Sequence, residues 1–170
     1  THIHSFSGNA MYFDDTFSDV TISNTIIEDG GNSTYIDIED TYVIMDNVKL
    51  HGSSSYGINF NGTTSLSMNN CEVSGFDRGL YITGSNTIHS ITNSLFGGSS
   101  YGIYVNQNTD ISFDNCEFIN NSTGLYIRNN SNTIINNSLF QSNSDYAFQK
   151  DDSGNYTIDN CEFIDNNYGF

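Results

Sequence analysis

Proline and tryptophan are absent from this chain of 170 residues, and lysine and arginine together number only four. Against them stand 20 acidic residues, for a formal net charge of −16. So few cations cannot neutralise a run of phosphates, which disfavours nucleic-acid binding. An anionic membrane face or a polyanionic substrate is repelled for the same reason. Divalent cations and neutral glycans suit the charge better. No apolar run reaches the length of a membrane-spanning helix, so no membrane insertion is expected. Thr1-His2-Ile3-His4 is not the basic stretch before an apolar one that opens a secretory leader. With no initiator Met, the chain reads as a processed protein or an excised segment. Helix-period apolar patterns are missing throughout. Disorder driven by charge is not expected either, because 11 tyrosines and 12 phenylalanines are available to bury.

What is present is repetition. Asn24, Asn47, Asn70, Asn93, Asn115, Asn137 and Asn160 recur at gaps of 22 or 23 residues. Self-similarity at that period marks each block as one coil of a solenoid. A block opens on an aromatic and a glycine, as in Tyr56-Gly57-Ile58-Asn59-Phe60 or Tyr101-Gly102-Ile103-Tyr104-Val105. Apolar residues then alternate with polar ones, the period of a strand. After a polar turn a second alternating stretch follows, such as Leu66/Met68 or Ile111/Phe113, and the asparagine comes two residues later. A third short strand ends on Ile27, Leu50, Val73, Phe96, Phe118, Phe140 or Phe163. Three strands and three bends therefore make one coil, and coils stack in parallel about 4.8 Å apart. An asparagine suits a bend, since it tolerates the left-handed region. Its amide can also donate to one neighbour and accept from the other, as in stacked sheets. The seven are expected to form an internal ladder. Asn115→Ala is then expected to cost about 1–3 kcal/mol by stranding neighbouring polar groups.

Asn70-Cys71-Glu72-Val73, Asn93-Ser94-Leu95-Phe96, Asn115-Cys116-Glu117-Phe118, Asn137-Ser138-Leu139-Phe140 and Asn160-Cys161-Glu162-Phe163 share one motif. With the glycine-started strand it spans roughly residues 20–170 and resembles the right-handed parallel β-helix repeats, the pectin-lyase-like solenoids. The resemblance implies an all-β, single-stranded right-handed parallel β-helix of about seven coils, with 22–23 residues per coil. We expect one domain over residues 1–170, a segment of a longer solenoid or a unit that stacks on copies of itself. Cys71, Cys116 and Cys161 stand 45 residues apart, two coils each. Two rungs separate their Cα atoms by about 9.6 Å, too far for a disulfide. They are expected in a small inward slot that Thr25, Val48, Ser94 and Ser138 fill in other coils.

Catalytic candidates are sparse. Among family members the polygalacturonase-like hydrolases carry Asn-Thr-Asp and Asp-Asp motifs, which Asn108-Thr109-Asp110 and Asp151-Asp152 match. The accompanying Gly-His-Gly and Arg-x-Lys motifs are missing. Two rungs apart, Asp110 and the Asp151/Asp152 pair lie about 9 Å from each other along the axis, a separation an inverting carboxylate pair can use. Lyase-type members act through Arg or Lys, for which Arg78, Arg128 and Lys150 are isolated candidates. For metals, Asp37, Glu39 and Asp40 are the candidate Ca²⁺ ligands, because stacking brings bend carboxylates together; otherwise no cofactor is expected. The histidines His2, His4, His51 and His89 are expected on the surface or at frayed ends, with His2 and His4 sharing a strand face. Sequons occur at Asn32, Asn61, Asn120, Asn121, Asn129, Asn136 and Asn155, permitting glycosylation on export. Outward tyrosines Tyr81, Tyr104 and Tyr126, one coil apart, are candidates for holding glycan rings.

The reading that follows is an acidic extracellular or cell-surface solenoid: a filament, surface-layer, stalk or adhesin subunit without catalytic activity. Self-association, head-to-tail or lateral, is the expected partnership, with glycans second. The alternative is a polysaccharide-binding or polysaccharide-cleaving protein.

Overall fold

Alternation over short segments, with polar bends between them, gives strands and, among the described residues, no helix. A computed structural model of the chain describes residues 1–14, 19–32, 34–85, 87–129, 132–151 and 153–169. β1 (His2–His4), β2 (Met11–Asp14) and β3 (Val20–Glu28) come first, then β4 (Ile36–Glu39), β5 (Val43–His51) and β6 (Tyr56–Asn61). β7 (Leu66–Asn69), β8 (Glu72–Ser74) and β9 (Arg78–Ile82) form the first triplet. β10 (Ile88–Thr92), β11 (Leu95–Gly97) and β12 (Tyr101–Val105) repeat it. So do β13 (Asp110–Asp114), β14 (Glu117–Ile119) and β15 (Thr123–Arg128). β16 (Thr133–Asn136), β17 (Leu139–Gln141) and β18 (Phe148–Asp151) are the last full triplet, followed by β19 (Tyr156–Asp159) and β20 (Glu162–Ile164).

These strands form a 13-stranded sheet and a 7-stranded sheet. The smaller one runs β18-β15-β12-β9-β6-β4-β2, so every coil contributes one strand to it. Pairing is parallel and in register, for example Ile58↔Leu80, Ile103↔Leu80 and Ile103↔Leu125. The result is a β-solenoid of about seven coils, as the repeat predicts.

Each coil turns sharply where the backbone is left-handed. All seven asparagines of the repeat adopt φ between 48° and 55°. In β3 and β5 the strand continues through this bend; in later coils it divides into two short strands. A second left-handed column follows the third strand, at Ser5, Asp29, Gly75, Gly98, Asn120, Ser142 and Asp165. No single residue type holds that column: it has two serines, two aspartates, two glycines and an asparagine, so spacing alone does not reveal it.

The core is a set of axial columns. Ile27, Leu50, Val73, Phe96, Phe118, Phe140 and Phe163 stack in register. The Phe118–Phe140 and Phe140–Phe163 rings stack nearly parallel, with interplanar angles of 8° and 2° and centroids 4.5 and 4.9 Å apart. Such offset stacks add roughly 0.5–1.5 kcal/mol each beyond area burial. The cysteine slot is as expected: Cys71 and Cys116 are buried, Cys161 partly so, and all three are unbridged. Within the slot, Ser94 and Ser138 hydroxyls donate to the carbonyl two residues back, at 2.7 Å each, and accept the Cys71 and Cys116 N–H groups at 3.0 and 3.1 Å. Burial pushes the Cys116 thiol up to about 11 and raises Cys71, so both are inert packing groups.

Two expectations need correction. The repeat asparagines stack, but they lie on the outside of the bend, with Asn47 half-buried and the other six exposed. Their amides link only in pairs: Asn47 to Asn24, Asn115 to Asn93, and Asn160 to Asn137. Between these, Asn93 turns to Asn69 and Asn137 to Asp114. The buried amide ladder is a different column, Asn121, Asn143 and Asn166. Asn121 Nδ2 donates to Asn143 Oδ1 at 3.2 Å, and Asn143 Nδ2 to Asn166 Oδ1 at 2.8 Å. Each amide oxygen also accepts the N–H of the residue one coil earlier, beginning with Ser99. A left-handed bend turns its side chain away from the core, whereas this column sits just inside the next corner.

The second correction is His89. It is fully buried, in register with Leu66 and Ile111. Its Nδ1 accepts the Leu66 N–H at 3.0 Å, which leaves the proton on Nε2 to donate to Thr87 Oγ1 at 2.7 Å. Thr87 in turn bonds Thr109 at 2.6 Å. Desolvation lowers its pKa from 6.5 to about 4.

Candidate functional site

The outer face of the smaller sheet carries the densest set of functional side chains. Inward residues such as Leu80, Ile103 and Leu125 fix the pleat, so the residues between them must point out. In register they form one outward column of Asn59, Tyr81, Tyr104, Tyr126 and Gln149. Tyr56, Arg78, Tyr101 and Thr123 form a second. The column start needs glycine, because a Cβ on Gly79 would meet the Gly102 carbonyl at 2.6 Å.

The tyrosines face one another rather than solvent. Tyr56–Tyr81 and Tyr104–Tyr126 stack at 5.2 and 4.9 Å with interplanar angles of 15° and 16°. Tyr104 is only 9% exposed. Arg78 lies over three of the rings, 5.3 Å from Tyr56, 4.8 Å from Tyr81 and 5.2 Å from Tyr104. Its Nη1 donates to the Tyr56 hydroxyl at 2.9 Å, and its buried Nε has no hydrogen-bond partner. Arg128 Nη1 donates to the Tyr104 hydroxyl at 3.1 Å. The Tyr126 hydroxyl donates to Asp151, and burial with that bond pushes Tyr126 up to about 12. The face is thus an aromatic ladder with guanidinium groups laid across it. The outward tyrosine stack is as expected, but the ring faces are already occupied and mainly edges reach solvent.

The catalytic candidates do not meet. Asp110 opens β13 in the larger sheet and accepts the Asn132 amide at 2.7 Å. Asp151 ends β18 in the smaller sheet and is held by Tyr126. Asp152 lies outside the described residues. Lys150 donates to the Gly154 carbonyl at 2.7 Å, so it joins neither arginine on the outer face.

The Ca²⁺ candidates are likewise engaged separately. Asp37 accepts the Asn59 amide at 2.8 Å, and Asp40 accepts the Thr63 N–H at 2.9 Å. Glu39 stands in register with Asp14 and Asn61. Among the described residues no group of three or more His, Cys, Asp or Glu side chains is placed to hold a metal ion.

Of the sequons, Asn32, Asn61, Asn120, Asn129 and Asn155 are exposed and Asn136 is half-buried. Asn121 is corrected: at 2% exposure its amide donates to the Phe96 carbonyl at 3.0 Å and cannot take a glycan in the folded state.

His2 and His4 do share an outward face, with ring centroids 5.1 Å apart. A shallow groove of about 320 Å³ runs beside the repeat asparagines, lined by Asn70, Glu72, Asn93, Leu95 and Asn115 among others. Its walls are mostly polar, and within it Lys49 Nζ lies 3.0 Å from Glu72 Oε2 as a surface ion pair.

Parallel coils of near-constant length, with like residues over like, define a β-solenoid. The chain belongs to the right-handed beta-helix family, whose model, described as a right handed beta helix region, matches residues 56–170. That family gives the coil its hand. No curated protein and no solved structure matches the chain.

Proposed function

We propose that this chain is a structural β-solenoid of the cell exterior, a filament, surface-layer, stalk or adhesin unit that performs no catalysis. One observation carries the reading: the polar side chains that could do chemistry instead couple one coil to the next. Asp46 takes the Asn69 amide at 2.7 Å, Asp114 that of Asn137 at 2.6 Å and Asp110 that of Asn132 at 2.7 Å, each from the following coil. Carboxylates spent in this way stiffen a shaft. Self-association with further copies and glycans on exposed bends such as Asn61 and Asn120 fit the same role. The test pairs an activity assay with microscopy. Purified protein should release neither reducing ends nor unsaturated uronates from acidic and neutral polysaccharides, and should form assemblies whose size rises with concentration. Turnover that Asp110→Asn abolishes would overturn the non-catalytic reading. Dispersed single particles at every concentration would overturn the assembly.

A second reading, polysaccharide binding, is favoured by Arg78, whose partly buried guanidinium keeps an unpartnered Nε within the tyrosine ladder. A glycan array should then show a signal that Arg78→Ala removes without changing the circular dichroism. Absence of any wild-type signal would end this reading.

A further inference from the structure

Stacking in register holds phenol rings against one another along the outer face of the smaller sheet. Tyr81, Tyr104 and Tyr126 are direct neighbours on successive strands. The Tyr104 and Tyr126 centroids are 4.9 Å apart with 16° between the planes, against 5.4 Å and 43° for Tyr81 and Tyr104. The Tyr126 hydroxyl donates to Asp151, a carboxylate placed to take its proton. We propose that Tyr104 and Tyr126 are a site of oxidative coupling, joined as dityrosine by a one-electron oxidant of the haem-peroxidase class that consumes hydrogen peroxide.

Each phenol gives up one electron and one proton. The Tyr126 proton passes to Asp151 and on to solvent, and the Tyr104 proton goes to solvent. The two phenoxyl radicals then bond through the ring carbons beside their oxygens. The hydrogen on each of those carbons shifts to oxygen, which restores both phenols. The two electrons and two protons released reduce one hydrogen peroxide to two waters. The stacked rings must tilt for these carbons to meet. That is a rotation about the Cβ–Cγ bonds, a torsion with broad wells, while the backbones stay about 4.8 Å apart. Competition from other side chains is limited. The chain has no tryptophan. Cys71 and Cys116 are buried, and burial raises both thiols, whereas the thiolate is the form that oxidises readily. Tyr12 and Tyr156 are more exposed, at 53% and 52%, but their partners in register are Asp37 and Thr133 rather than a second phenol. A link between these coils would act as a disulfide does, by restricting the unfolded chain. This modification goes beyond the structural role proposed above and holds whether or not the chain assembles.

The test is oxidation of the dilute full chain by a haem peroxidase and hydrogen peroxide, after alkylation of the partly buried Cys161 thiol. Dityrosine fluorescence and mass spectrometry of proteolytic fragments read the product. The expected product is a single chain lighter by two hydrogen atoms, with the fragments carrying Tyr104 and Tyr126 joined and a higher melting temperature. Tyr126→Phe should abolish that link. Asp151→Asn should slow its formation several-fold with circular dichroism unchanged, an effect that ring packing alone does not produce. Tyr12→Phe should leave it as in wild type, although Tyr12 is the more exposed ring. Links chiefly through Tyr12 or Tyr156, between chains, would show that exposure governs and would overturn the proposal. A link between Tyr146 and Tyr168 alone, which also stack, at 5.0 Å, would overturn it too, as would no dityrosine at all. An Asp151→Asn rate equal to that of wild type would overturn the assigned proton path.

Discussion

Asn143 and Asn115 are both asparagines, at different bends of successive coils, yet they stabilise the solenoid for different reasons. Asn143 is fully buried, and its loss strands the Phe118 carbonyl and the Asn121 N–H. Asn143→Ala should cost about 3 kcal/mol, the penalty of unpaired buried groups. Asn115 is exposed and bonds Asn93 alone, but it holds φ at 55°. Asn115→Ala should cost about 1 kcal/mol, chiefly from the left-handed backbone, and Asn115→Gly should lie within about 0.5 kcal/mol of wild type. Urea denaturation of the three variants checks this ordering; equal losses for Asn143→Ala and Asn115→Ala would refute the inside/outside assignment. The sequence displayed the exposed column seven times and the buried one only three times, which is why the wrong column reads as the ladder. His89 was illegible for another reason: no pattern distinguishes a histidine that replaces Leu or Ile in an inward column until its polar partners are known. Its unfolded pKa of 6.5 falls to about 4 on folding, so only the unfolded chain takes up a proton between those values. Stability from this residue is therefore full above pH 6.5 and is lost as pH falls toward 4, about 3 kcal/mol in all. Denaturation at pH 7.5 and pH 4.5 should show that His89→Ala loses less on acidification than wild type by a similar amount. Surface carboxylates contribute to both proteins and drop out of the difference. An identical acid loss would contradict the buried neutral imidazole.

At the level of the strand, close approach is what the glycine column provides. A Cβ on Gly102 would stand 2.6 Å from the Gly124 carbonyl and 3.1 Å from the Asn121 amide, whereas one on Gly8 would meet nothing within 4 Å. Gly102→Ala should thus cost about 2 kcal/mol and Gly8→Ala almost nothing, as thermal melts would show. Strand existence, strand faces and the stacked Ile27-to-Phe163 column could be read from alternation, because inward strand positions hold apolar or small residues almost throughout, His89 being an exception. The bends were half legible. Asparagine marks one of them in every coil, while the second is made by Ser5, Asp29, glycines and Asn120, any residue tolerating positive φ. The tyrosine ladder was legible as a column, but the arginines lying across it were not, since Arg78 and Arg128 sit at different positions of their coils. Asp110 and Asp151 matched a motif in sequence order, yet the coil places them on different sheets.

For the whole molecule, every conclusion rests on one coil per 22–25 residues in parallel register. Thr21, Ile44, Ser67, Ser90, Ser112, Ile134 and Thr157 form one outward column through successive pairings. Side chains at the surface of that column can carry spin labels without entering the core. Pulsed dipolar spectroscopy on Thr21→Cys/Ser112→Cys and Thr21→Cys/Thr157→Cys, with the three native cysteines replaced by serine, measures the rise directly. Four rungs separate the first pair and six the second, so the mean distances should be about 19 Å and about 29 Å before label-linker corrections. Distances that fail to grow by roughly 5 Å per coil, or broad distributions without a peak, would contradict the stacked solenoid.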